Sequence, residues 1–434
     1  MTDTRENKRD FAILFLVMLI TGAGNTALQS VLPTIGRTIG VADSAIAAAF
    51  SVSAAIWVFA APMWARRSDR DGRREMVLMG LCGFIGSVFL CAIFLTAGLR
   101  GWIGPAATMA CFIGARMIYG VFGAAAPPAA QAMIALRTDR AQRTKALTML
   151  GSAFGLGTIL GPALAPWFVL PYVGLAGPAF VFSAFGLAVF LYVLRYLRDD
   201  GPNDVGHGAA ISYPSIGGAP AGASITAAIE DRSTVMLKLT DPRIWPWMSM
   251  GLVMGHAQAM TGQAIGFLVI DRLGLSLFEA QQAIGIVLMS GAGAALLVQW
   301  GIIPLLNFTP KQMVITGLVF AAIGTAMTGL ATSLYGIATA FALACVGFGF
   351  TRPGFTAGSS LSVDRSLQGS VAGRVTAVNG AAFVLGPSIG VGLYQIWQPL
   401  PYFTSSAMLA LLIFYARSRL EPPAPEPPVS SEQR

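Results

Sequence analysis

The chain has 434 residues, of which 55% are hydrophobic and only 11% charged, against about 25% charged in soluble domains. Lys and Arg number 28 against 20 Asp and Glu, a net charge of +8. Uncharged stretches such as 11–36 and 76–99 exceed the ~20 apolar residues that cross a bilayer core, which excludes a soluble globular enzyme.

Arg5, Lys8 and Arg9 precede an apolar run too long for a signal-peptide core, so it reads as a first span and not as a cleaved leader. Breaking the sequence at charges and at Gly/Pro turns predicts spans at 11–35, 44–65, 76–99, 103–136, 147–170 and 174–194. Six more follow at 244–270, 276–304, 312–332, 335–362, 375–398 and 401–416. With 50 Gly and 25 Pro, these must be helices whose broken turns are satisfied by neighbouring helices. The predicted fold is an all-α integral membrane protein: twelve transmembrane helices in two pseudo-symmetric six-helix halves, 1–194 and 244–416. Between them, 195–243 is rich in Gly, Ala, Ser and Pro and reads as a cytoplasmic linker. Residues 417–434 are Pro/Glu-rich and read as a disordered cytoplasmic tail.

If both termini lie on one side of the membrane, 23 of the Lys and Arg fall on that side. Three (Arg37, Arg100, Arg272) fall on the other, and two (Arg116, Arg352) within spans. The positive-inside rule then places both termini in the cytoplasm, with basic clusters facing anionic lipid and not nucleic acid. Cys82, Cys91, Cys111 and Cys345 lie in apolar segments as packing residues, without metal-ligand spacing. Neither a metal nor a cofactor is expected.

An internal repeat runs at an offset of 225 residues. Asp139-Arg140 and Gly161-Pro162 recur as Asp364-Arg365 and Gly386-Pro387, and Pro128 maps onto Pro353. Duplicated halves of this kind rock about a midplane site in transporters, giving alternating access.

Three motifs carry mechanism. Between spans 2 and 3 the chain reads Ala65-Arg66-Arg67-Ser68-Asp69-Arg70-Asp71-Gly72-Arg73-Arg74, where Gly72 permits a tight turn. Span 4 contains Gly114-Ala115-Arg116-x-x-x-Gly120, and span 5 Gly157-x-x-x-Gly161-Pro162. An intramembrane Arg costs at least ~2.5 kcal/mol, so Arg116 needs a cavity or a partner. Small residues in span 5 let it pack closely against span 8.

Together these motifs resemble the major facilitator superfamily, whose loop signature is Gly-x-Leu-x-Asp-Arg-x-Gly-Arg-Arg/Lys. Asp69, Arg70, Gly72, Arg73 and Arg74 match it, while Ala65 and Arg67 replace the usual Gly and Leu. Ala165 and Pro166 stand where the span 5 motif often continues with a Gly pair. The resemblance covers nearly the whole chain. It implies a monomeric transporter of the drug:proton antiporter type in a bacterial inner membrane, gated by Asp69, Arg70, Gly72, Arg73, Arg74, Gly157, Gly161 and Pro162. The plainer readings are a merely topogenic basic loop, a structural arginine and packing glycines.

None of the 20 acidic residues lies deep in a span, and Asp43, Asp271 and Glu279 fall at the outer surface. Many antiporters of this type carry a span 1 carboxylate that pairs with the span 4 Arg. Here Asn25 and Gln29, one turn apart on one face, take that level, and neither ionises. Arg116 then invites an anion, and Arg352 adds a second intramembrane cation that either faces the cleft or caps carbonyls freed by Pro353. His256, in span 7, shares a face with Met260 and Gln263 and is either a packing histidine or a proton carrier. Asn379, Trp57 and Phe383 are cavity liners by position alone.

The expected substrate site is therefore Asn25, Gln29, Arg116, His256, Gln263, Arg352 and Asn379. The expected function is proton-coupled efflux of a small anionic or amphipathic organic compound. The alternative is uptake or exchange of a small organic anion. An intramembrane enzyme would need a His–acid or paired-carboxylate set, which the spans lack. A receptor or scaffold would not need duplicated halves.

Overall fold

The computed structural model describes residues 2–138, 140–198, 238–363 and 367–420. Asp139, Asp364, Arg365, most of the expected linker and the tail from 421 lie outside the described residues, as do the side chains of Asp69 and Arg70. Thirteen α-helices occur among the described residues. They are α1 (Thr2–Ile39), α2 (Asp43–Asp71), α3 (Arg73–Leu99), α4 (Pro105–Phe122), α5 (Ala126–Arg137), α6 (Arg140–Leu164) and α7 (Gly177–Tyr196). The second series is α8 (Trp245–Leu273), α9 (Leu277–Leu296), α10 (Pro310–Leu330), α11 (Leu334–Leu361), α12 (Gln368–Ile396) and α13 (Leu400–Arg419).

A single 3-10 turn, Gly123–Ala125, joins α4 to α5 within the fourth predicted span. Pro127 and Pro128 sit in the first turn of α5, where a missing N–H costs nothing. Thirteen helices thus make twelve spans. Eleven are apolar enough to cross a membrane by composition, and α8 is the twelfth. His256, Gln258, Thr261 and Gln263 lower its hydropathy. From Ala257 to Val269 every residue of α8 is buried, against α12 and α13 among others, so this polar helix meets protein and not lipid.

The expected loop between spans 2 and 3 is almost absent. α2 continues through Asp71, α3 starts at Arg73, and one residue, Gly72, makes the break at φ 105°, ψ 143°. An L side chain rarely adopts that conformation, so glycine is required there. α6 and α12 likewise begin earlier than predicted, at Arg140 and Gln368. Charged turns extend these helices beyond the apolar segments that hydropathy marks.

Helices α1–α7 pack mainly on one another, as do α8–α13, and the two bundles meet through α2 on α12 and α6 on α9. The repeat is visible in the packing. A Cβ on Gly157 or Gly161 of α6 would run into the α1 backbone around Leu19 and Ala23. Gly386 and Gly390 of α12 are pressed in the same way onto Ala259 and Met260 of α8. Spans 5 and 8 do pack together, as α6 on α9, but the glycine stripe itself faces span 1. The Pro162 carbonyl and Pro166 approach Gly285 of α9.

Candidate functional site

We call the end of the bundle where α1 begins and α13 finishes the terminal face. Arg116, on α4, is buried inside the first half. One of its terminal nitrogens donates to Asn25 Oδ1 of α1 at 2.9 Å, and Asn25 Nδ2 donates to Tyr119 Oη at 3.1 Å. The guanidinium lies over the rings of Phe50 (5.2 Å) and Tyr119 (4.9 Å). An amide oxygen and two aromatic faces meet this charge, and no carboxylate among the described residues does. Arg116, expected to need a cavity or a partner, has a partner in Asn25, and these rings cover it.

Arg352, on α11, is arranged similarly in the second half. It donates to Gln258 Oε1 of α8 at 2.7 Å and sits over Phe383 of α12 at 5.7 Å. Asn379, one turn before Phe383, is buried, and both its carboxamide atoms lack a hydrogen-bond partner among the described residues.

Asn25 and Gln29, expected to act side by side, are divided. Asn25 turns inward to Arg116, whereas Gln29 Nε2 reaches across to Gln263 Oε1 of α8 at 3.4 Å. A second amide bridge joins Gln281 Nε2 of α9 to Ser30 Oγ at 3.3 Å. His256 does not join Gln263. Its Nδ1 lies 2.8 Å from Leu252 O one turn earlier on α8. A carbonyl only accepts, so Nδ1 carries the proton and Nε2 is left for other work.

At the face opposite the termini, a cluster missed from the sequence closes the gap between halves. Arg37, near the end of α1, donates to both carboxylate oxygens of Asp43 (2.8 and 2.7 Å) and to both of Asp271 (2.8 and 3.1 Å). Tyr394 of α12 adds its hydroxyl to Asp271 at 2.7 Å. Asp43 and Asp271 are therefore not simply surface acids. The available signal was Arg37 itself, one of only three basic residues on that side. Tyr119 could also have been found, three residues after Arg116 and so on the same helix face. Gln258 had no such marker.

Of the expected gating residues, Arg73 is fully buried and Arg74 donates to Leu194 O at 2.6 Å. Asp10 of α1 is also fully buried on this terminal side, taking Arg137 and Arg198 on one oxygen at 2.7 Å each.

The Major Facilitator Superfamily model matches residues 14–308, more than half of the chain. The tetracycline resistance protein, class B, of Escherichia coli is 31% identical over 197 residues, 43% of this chain and 44% of that protein. A multidrug efflux pump of Mycolicibacterium smegmatis is 26% identical over 354 residues, 73% of this chain and 66% of the pump. The chain thus spans between about half and two thirds of the length of these two relatives. Among solved structures, a human organic anion transporter shares the fold at TM-score 0.62 and 18% identity, covering 94% of this chain and 99% of that one. A POT family transporter in complex with 5-aminolevulinic acid gives 0.69 at 13% identity, covering 95% of this chain and 96% of that one. The chain belongs to the Major Facilitator Superfamily.

Proposed function

We propose that the protein is a secondary active transporter that exports a small anionic or amphipathic organic compound by alternating access, coupled to inward movement of protons. It works as a monomer in a bacterial inner membrane, with the terminal face in the cytoplasm. The observation that carries this reading is the Arg37 cluster. Its Arg37–Asp43 part belongs to one half and its Asp271–Tyr394 part to the other. A charged contact that can separate, set above two buried arginines, is what a rocking pair of halves needs at its outer gate. Efflux is supported by the tetracycline and multidrug relatives, and orientation by the Lys/Arg asymmetry. His256, with Nε2 uncommitted to Leu252, is the proton-carrying candidate.

The test uses purified protein in liposomes with an interior pH dye and an imposed pH gradient. Organic anions and lipophilic cations are added one at a time. Dissipation of the gradient by a compound, lost in Arg116→Ala, supports the reading. Loss of proton movement with retained binding in His256→Gln assigns the proton site. A panel that never moves protons refutes proton coupling. One observation favours the second reading, uptake or exchange of an organic anion: no described carboxylate holds Arg116.

A further inference from the structure

The interface between α2 and α12 fixes the relation of two polar groups that the contacts above leave unused. Ser51 and Ser388 share a hydrogen bond at 2.9 Å. Two turns further along α2, Val58 Cγ2 lies 2.8 Å from where a Cβ on Gly380 would stand. Residue numbers rise along one helix as they fall along the other, so the pair is antiparallel. Each residue step turns a helix by about 100°. In an antiparallel pair, one step back from each contacting residue therefore swings both side chains to the same side. Those residues are Trp57 and Asn379.

That side is also where the two arginines lie. Phe50, two turns before Trp57 on the same face, carries Arg116. Phe383, one turn after Asn379, carries Arg352. Trp57 is buried with its ring 5.2 Å from Tyr119, and its indole Nε1 has no hydrogen-bond partner among the described residues. The same holds for both Nδ2 and Oδ1 of Asn379, which is 1% exposed. Buried polar atoms without partners are costly and rare. The α2–α12 register thus sets two donor groups and one acceptor on one side of the boundary between the halves, beside aromatic rings.

We propose that Trp57 and Asn379 form a substrate subsite that reads an uncharged donor–acceptor edge, a carboxamide or the equivalent hydroxyl–carbonyl pair, on a flat aromatic body. This deepens the transporter reading and rests on it. Asn379 Nδ2 and Trp57 Nε1 donate to the ligand carbonyl, and Asn379 Oδ1 accepts the ligand N–H or O–H. A carboxylate has no hydrogen for Asn379 Oδ1 and leaves that acceptor buried against a negative charge. The nearby guanidinium groups are already engaged by Asn25 and Gln258, so the edge recognised is neutral. Because one contributor comes from each half, the ligand contacts differ between the two rocking states, which is what couples binding to their equilibrium.

The test is calorimetric titration of the full-length protein in lipid nanodiscs with three probes: a naphthalene carboxamide, its N,N-dimethyl amide and the naphthalene carboxylate. The carboxamide is expected to bind about tenfold more tightly than either of the others. Asn379→Leu, similar in volume, should remove that preference, and Trp57→Phe, which keeps the ring, should weaken it. Should Asn379→Leu fail to fold, Asn379→Ala serves, and it too should lose the carboxamide preference. Equal binding of all three would mean that Asn379 merely holds water, and tighter binding of the carboxylate would mean an anion site. Either result overturns the proposal, as does a preference that survives in the Asn379 variants. Absence of binding by all three probes, with transport of another compound in liposomes, overturns the subsite and leaves the transporter reading standing.

Discussion

Arg37 and Asp271 are held in a two-pronged ion pair between the halves, at 2.8 and 3.1 Å, while Arg37 is simultaneously clasped by Asp43 of its own half. One cation thus faces two carboxylates. If Asp271 loses its charge, Arg37 keeps its partner at home and only the link between halves is lost.

Asp271→Asn is therefore expected to favour opening at the face opposite the termini. A single cysteine placed at Ser51 in a cysteine-free background should react several-fold faster with an impermeant maleimide added from outside when Asp271→Asn is also present. An unchanged labelling rate would show that the pair does not hold the gate.

Arg116→Ala should abolish transport while the protein still inserts and elutes as a folded species on size exclusion. Arg116→Lys should recover little, because an ammonium cannot reproduce the planar contact with Phe50 and Tyr119 together with the bond to Asn25. Transport assay beside thermal unfolding separates loss of function from loss of fold. Wild-type turnover in the alanine variant would remove Arg116 from the site.

Two glycines of α6 make an internal control for helix packing. At Gly161 a Cβ would collide with the backbone at Ala23 and Ala27, whereas at Gly151 it would meet nothing within 4 Å. Gly161→Ala should cost about 1–3 kcal/mol, measured as a lowered thermal midpoint in detergent. Gly151→Ala should leave the midpoint unchanged or raise it slightly, since alanine suits a helix better than glycine.

On the terminal side, Asp10→Asn should destabilise the first half by about 2–3 kcal/mol. This is at or below the low end for breaking a buried ion pair, because Arg198 still reaches water. The check is thermal unfolding of Asp10→Asn beside Arg198→Gln. Because both remove the same bridge, their effects should be less than additive in the double variant.

The fold was largely legible because crossing a bilayer forces long apolar runs, and the Gly161-Pro162 and Gly386-Pro387 repeat reports the duplication directly. Hydropathy erred where the physics differs. α2 and α12 continue past the apolar segment as charged helix, and that extension carries no hydrophobic signal. The candidate site was legible in its ingredients but not in its partnerships. Arg116, Arg352, Asn25, Gln263 and Asn379 are conspicuous as polar groups in apolar runs. Which of them meet depends on helix rotation, which a helix buried on most sides does not encode in its periodicity. Thus Asn25 and Gln29 share a face by spacing, yet one bonds within its half and the other across the interface. The Arg37 cluster was harder still, since its members come from α1, α2, α8 and α12 and meet only after the halves have packed.

The polarity of α8 bears on how the protein is made. Among the described residues it is the one span that falls short of the hydropathy of a membrane-crossing helix, so on emerging from the ribosome it would partition poorly into lipid by itself. Its amides meet Gln29 of α1 and Arg352 of α11, and much of its surface is covered only once α12 and α13 have been synthesised. Nascent chains ending just after Leu273 should leave this segment outside the bilayer. Membrane entry of the second half is thus a cooperative, late step of biogenesis and not a helix-by-helix process.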